Sequence, residues 1–167
     1  MFRTIKLYFT DRPYYEQLKR YEKRQKAVRK KLKKQVKNFC PWSGYYMHEM
    51  VKTMLEFYHK TYLAGDCCYS EESRVEEIAT SIDVAIHWAN EIERLDVLAD
   101  NELIYIAKKD AAFGQYVMAW EAKIGHTITE CSNQEAMLSS LALEYLTEKY
   151  TIAMYKVIGE HIWEWCD

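Results

Sequence analysis

Residues 73–92, SRVEEIATSIDVAIHWANEI, decide the fold class. Val75, Ile78, Ala79, Ile82, Ala85, Ile86, Ala89 and Ile92 recur at spacings of three and four, with polar residues at most positions between. That pattern puts the apolar side chains on one stripe of an α-helix, and it does not fit a strand, whose period is two. Ser73 followed by Glu76 has the spacing of a capping box. The stretch therefore predicts a helix starting near Ser73 with one face against other helices.

The same reading extends in both directions. Downstream, Asp100-Asn101 restarts the chain into a helix through about Lys123, with Gly125 as its stop. Gly114 lies inside it and suggests a kink or a close approach. Ser132 with Glu135 opens a last helix over about 133–165, with Leu138, Leu141, Tyr145, Leu146, Ile152, Ile158 and Ile162 facing inward. Upstream, Ser43 caps a helix over about 44–63 that Gly65 ends. Its apolar face is Met47, Met50, Val51, Met54, Phe57 and Tyr58. Phe39-Cys40-Pro41-Trp42-Ser43-Gly44 breaks the chain before it, because proline disfavours helix at the preceding residue. Further back, Asp11 and Pro13 mark a helix start. Tyr14, Leu18, Tyr21, Val28, Leu32 and Phe39, with Gln25 and Gln35 in the gaps, then form a near-heptad stripe. Ile5, Leu7 and Phe9 alternate as in a short N-terminal strand or an extended arm.

The expected fold is all-α: an antiparallel bundle of four to five helices with a long basic N-terminal helix. It is expected to be a single domain, 1–167, made of a basic arm and helix (1–39) and an acidic bundle (40–167). Composition agrees. The 167 residues include only 5 Gly and 2 Pro, too few turn formers for a many-stranded β fold. A hydrophobic fraction of 49% with a net charge of −2 argues against wholesale disorder.

The net charge conceals an asymmetry. Residues 1–60 carry a net +11 and residues 61–167 a net −13. A positive first segment can engage an anionic partner, or it can lie across acidic helices of its own chain or of a second copy. Cys40, Cys67, Cys68, Cys131 and Cys166 are odd in number and include no CxxC, so they form no disulfide framework. No apolar run reaches the length of a secretory h-region or a membrane span. A reducing cytoplasm is the expected compartment, with no membrane partner.

Catalytic constellations are weak. Glu56 and His59 form an ExxH, as used in di-iron bundles, but a second such unit and further carboxylates are missing. Asp83 and His87 stand four apart and invite a metal shared with His48 or His59; solvated or hydrogen-bonded histidines are the plainer reading. Glu93 and Asp96 form an ExxD, downstream of Glu71, Glu72, Glu76 and Glu77. Paired acidic motifs of this kind bind Mg²⁺ in the all-α nucleotide pyrophosphohydrolases resembling MazG, but the first motif here departs from their EExxE spacing. No glycine-rich phosphate loop and no Ser/His/Asp order is present. No catalytic residue, metal or cofactor is therefore expected. The aromatic residues say more. Trp42, Tyr45, Trp88, Trp163 and Trp165, with His48, Lys52 and Arg74, are suited to stack a nucleobase and hold phosphates.

Pro41-Trp42 with Tyr45-Tyr46, the segment Trp88-Ala89-Asn90-Glu91-Ile92-Glu93, and the ending His161-Ile162-Trp163-Glu164-Trp165-Cys166-Asp167 together resemble a group of small helical proteins of tailed bacteriophages. Those proteins often open a long helix on Trp-Asp-Tyr and end in Trp-Trp-Asp. Here Ser43-Gly44 replaces the Asp, and Glu164 and Cys166 interrupt the ending. The resemblance spans roughly residues 40–167. It implies a phage accessory protein acting in the host cytoplasm, and it implies no reaction. The combined expectation is a non-enzymatic counter-defence protein that sequesters a nucleotide-derived host immune signal. Its contacts would be Trp42, Tyr45, His48, Lys52, Arg74 and Trp88, with Trp163 and Trp165 closing the site in a homo-oligomer. The first alternative is a protein inhibitor that docks on a host enzyme or a nucleic-acid-binding complex through Lys30, Lys31, Lys33 and Lys34. The second is the Mg²⁺-dependent nucleotide pyrophosphohydrolase. Direct nucleic-acid binding is not expected, because an acidic bundle repels a duplex.

Overall fold

The computed structural model describes residues 12–38, 44–64 and 72–166. Among them the order is α1 (Arg12–Lys37), α2 (Gly44–Leu63), α3 (Glu72–Leu95), α4 (Asp100–Lys108), α5 (Ala111–Ile124), a short 3₁₀ turn (Ile128–Glu130) and α6 (Gln134–Cys166). The described residues are all-helical, as the stripes require, and contain no strand. The expected strand at Ile5–Phe9 and the Gly65 cap lie outside them.

Two compact units divide the chain: residues up to Ile86 with those from Val157 onward, and His87–Lys156. The division falls within α3 and α6 rather than at the Pro41 break.

In the first unit, α1 and α2 form an antiparallel hairpin. Tyr21, Gln25, Val28, Leu32 and Gln35, at 4-3-4-3 spacing, are among the less exposed positions of α1, whereas Tyr14, expected in the stripe, is 52% exposed. Tyr21 lies 5.9 Å from the Phe57 ring, while Gln35 reaches Thr53 near the other end. This seam explains how so polar a helix is held, since an isolated helix of this composition is marginal. The unit's core is Leu55, Tyr62, Ile78, Ile82, Ala85 and Trp165, with Val51, Tyr58, Val75 and Ile158 against it. The α3 stripe read from sequence is thus the buried face, with Ile82 and Ala85 at 0% exposure.

Gln35 is a polar residue buried in this seam, 6% exposed. Its Nε2 donates to Thr53 Oγ1 at 2.9 Å, and Thr53 Oγ1 donates to the Glu49 carbonyl at 2.9 Å. Gln35 Oε1 is buried with no hydrogen-bond partner among the described residues. An unsatisfied buried acceptor is costly, and Thr53 keeps a bond without Gln35. Gln35→Leu is therefore expected to raise stability by about 1 kcal/mol in a urea titration. A loss of stability would show that the Gln35–Thr53 bond outweighs the orphaned oxygen.

In the second unit, the core is Leu95, Leu103, Ala107, Phe113, Leu141, Ala142 and Leu146. The helix expected over residues 100–123 is two helices. The break falls at Asp110, not at Gly114, where an added Cβ would meet nothing within 4 Å. Asp110 is the cause. Its Oδ1 accepts the Ala112 N–H at 3.0 Å as the N-cap of α5, and its Oδ2 accepts from Lys149 and Tyr145 of α6. Ser139 of α6 donates to Asp100 Oδ1 at 2.7 Å, so both acids that open α4 and α5 are tied to α6. Gly125 caps α5 in the left-handed region at φ 79°, as expected, where a side chain would be strained. Along α6, Ile152 and Ile162, expected inward, are 61% and 41% exposed. Met154, which the stripe omitted, is buried at 0%. The 33-residue helix outruns any straight reading of one stripe.

Candidate functional site

The hairpin sorts the charges of α1 by angle. The seam residues occupy one side. At about 100° per residue, Lys23, Lys26, Lys30, Lys33, Lys34 and Lys37 fall within an arc of about 100° on the opposite side. All six are exposed. They span about 21 Å of helix at about 1.5 Å per residue. No acid stands between Lys23 and Lys37. Lysines four apart on this face, such as Lys26 with Lys30, Lys30 with Lys34 and Lys33 with Lys37, repel one another by a few tenths of a kcal/mol (roughly 0.2–0.5 each). A surface of this kind weakens its own helix and attracts anions.

On the flank of the hairpin the charges behave differently. Arg24 is half-buried, and its guanidinium donates to the Lys60 carbonyl at 3.0 Å at the surface. Lys31 lies 3.6 Å from Glu56. Together with Val28, Thr53, Phe57 and Lys60 these residues line a groove of about 310 Å³.

The site residues expected from sequence are dispersed. Trp42 lies outside the described residues. Tyr45 is in the first turn of α2, and its side chain also falls outside them. His48 and Lys52 are half-buried one turn apart on α2. Arg74 is exposed near the start of α3. Trp88 belongs to the second unit, 5.1 Å from the His87 ring and 5.4 Å from the Tyr150 ring. Trp163 is 78% exposed, whereas Trp165 is 4% exposed. The Trp165 indole N–H donates to Ser81 Oγ at 2.9 Å, and its carbonyl accepts the Tyr62 hydroxyl at 2.6 Å. Among the expected residues whose side chains are described, His48 and Lys52 are neighbours on one helix. Two residues along a helix is a rotation of about 200°, so Trp163 and Trp165 point apart.

Of the metal candidates, His59 and Asp83 meet and Glu56 does not join them. Glu56 of the ExxH faces Lys31, while His59 Nε2 lies 2.9 Å from Asp83 Oδ1. Among the described residues no group of three His, Cys, Asp or Glu is placed to hold a metal ion. Reasoning from sequence did not find Arg24, Phe57 and Lys60. Their common groove depends on the register of two helices, which no spacing within either one reports.

Burial holds the His48 pKa below its ordinary 6.5. The bonds from Lys149, Tyr145 and the Ala112 N–H hold the Asp110 carboxylate well below its ordinary 3.8. Burial, with help from Asp110, pushes the Tyr145 hydroxyl up to about 12. Both lowered groups take up protons more readily in the unfolded chain, so both make stability fall on acidification. For His48 the loss begins as pH drops through 6.5, and for Asp110 as it drops through 3.8. Thermal unfolding against pH is expected to show both limbs. His48→Gln should flatten the upper one and Asp110→Asn the lower; a wild-type slope in either variant would reject that assignment.

No family model, no curated protein and no solved structure matches the chain. Among the described residues no helix is long and apolar enough to cross a membrane.

Proposed function

We propose that this chain is a non-enzymatic binding protein, a phage accessory factor that disables a host component by docking on it through α1. The observation that supports this reading is the all-lysine face of α1, turned away from the α2 seam and bearing repulsive pairs. The partner we infer is a protein with an acidic surface. A compact acidic patch needs to meet α1 alone, whereas a long polyanion would also pass the acidic remainder of the chain. The lysine face also carries no Asn, Gln or aromatic side chain with which to read a base.

This reading places the protein in the host cytoplasm and makes the helices of residues 40–167 an antiparallel scaffold for α1. Nucleotide sequestration by the tryptophans gains no such support, because Trp165 is buried in the core while Trp163 is exposed. The test is capture of host proteins by the immobilised full chain, with the bound proteins identified and eluted along a salt gradient. An acidic protein released at low salt is the expected result. Nucleic acid as the main captured species, or a second copy of the chain, would overturn the inferred partner. Capture indifferent to salt would overturn the surface.

A further inference from the structure

We propose that the groove between α1 and α2 binds a small organic phosphate carrying a flat ring, of nucleoside monophosphate size. The inference does not rest on the docking surface, which lies beside the groove on the next face of α1.

Three cations border the groove, Arg24, Lys31 and Lys60, against one acid, Glu56. Glu56 is already matched by Lys31 at 3.6 Å. Arg24 is held in place by its bond to the Lys60 carbonyl, so part of the ordering that anion binding requires is already in the fold. The Lys60 side chain is exposed and has no acidic partner among the described residues. Arg24 and Lys60 thus form a cationic rim at one end.

The floor is apolar. Val28 and Phe57 are half-buried, and the Phe57 ring is braced by Tyr21 at 5.9 Å and Tyr58 at 5.8 Å. Thr53 lines the groove, but its hydroxyl already donates to the Glu49 carbonyl and accepts from Gln35. It is therefore a wall and not a donor to a ligand.

These parts select a ligand. A volume of about 310 Å³ is at the lower end of small-molecule sites, which favours one ring and one phosphate over a dinucleotide. The ring rests on Phe57 and Val28, and the phosphate meets Arg24 and Lys60 as charge-assisted hydrogen-bond donors. With no uncommitted neutral donor in the wall, recognition of the base is loose. Purine and pyrimidine monophosphates are expected to bind within about tenfold of each other, since stacking tolerates any base.

The experiment is isothermal titration of the full chain with AMP, with UMP, and with the two halves of AMP, adenosine and inorganic phosphate. AMP is expected to bind at least about tenfold more tightly than either half, because the site holds ring and phosphate together. Lys60→Gln should weaken AMP by about tenfold through loss of one charged contact. Lys60 is exposed, so that variant retains the fold. Phe57→Leu should reduce the advantage of AMP over phosphate. Lys33→Gln, on the side of α1 away from the groove, should leave AMP binding nearly unchanged. AMP equal to phosphate would overturn the ring site. No AMP binding at 1 mM (about −4 kcal/mol), or an affinity unmoved by Lys60→Gln, would overturn the whole inference.

Discussion

Trp165→Ala is expected to lower the unfolding free energy by about 3–5 kcal/mol, the range for truncating a buried large aromatic residue. Trp165 is 4% exposed in the core it shares with Leu55, Tyr62, Ile78, Ile82 and Ala85. It also closes a relay. Its indole N–H donates to Ser81 Oγ, and the Ser81 hydroxyl donates to the Ile78 carbonyl at 2.8 Å. The Tyr62 hydroxyl reaches back to the Trp165 carbonyl. Alanine would leave a cavity and would take the donor from Ser81. A domain's whole stability is about 5–15 kcal/mol, so the variant sits near the edge of folding. Trp163→Ala provides the internal control. At 78% exposure it should move stability by no more than about 0.5 kcal/mol. Urea unfolding of the two variants is the measurement. Equal effects would show that the last turn of α6 does not dock as described.

That pair also shows where sequence reading stopped. The class of the fold, several helix ends and the α3 stripe follow from local rules: period, caps and breakers act within a few residues. Gly125 as a left-handed cap and Gly44–Leu63 as a helix were legible for that reason. The split of the 100–123 helix was not, because Asp110 reads as an ordinary helical acid until Lys149 and Tyr145, 39 and 35 residues away, are placed beside it. The opposite burial of Trp163 and Trp165 was hidden for the same kind of reason. Trp163 and Trp165 are neighbours in sequence, yet the helix turns one outward and the other into the core. The Arg24–Phe57–Lys60 groove needed the register of α1 on α2, which Gln35, Thr53 and Tyr21 set across the seam. Charge is the exception: the basic excess of α1 was visible from counting alone.

The lysine face is where stability and function can be pulled apart by one variant. Lys30→Glu, Lys33→Glu and Lys34→Glu together are expected to weaken capture of the acidic partner at low salt by at least about 100-fold, near 2.8 kcal/mol. Three attractions become three repulsions, and the dependence on salt should flatten or reverse. Lys31 is left intact because it pairs with Glu56 at 3.6 Å and borders the groove. The fold should not suffer. Lys30, Lys33 and Lys34 are exposed and lie away from the α2 seam. The Lys26–Lys30 and Lys33–Lys37 repulsions become attractions, each a change of a few tenths of a kcal/mol (roughly 0.4–1 for the reversal of sign). Against this, Lys34→Glu removes a cation from the last turn of α1 and opposes the helix dipole by a similar amount. Thermal unfolding should therefore show a melting temperature close to that of the wild type. The combination of lost binding with retained stability is what a functional surface predicts and a structural one does not. A residue kept for the fold loses stability when reversed; a residue kept for a partner loses only the partner. Undiminished capture would remove α1 as the docking element. A lowered melting temperature would assign these lysines to the scaffold instead, since it would mean that their charges balance acids of their own chain.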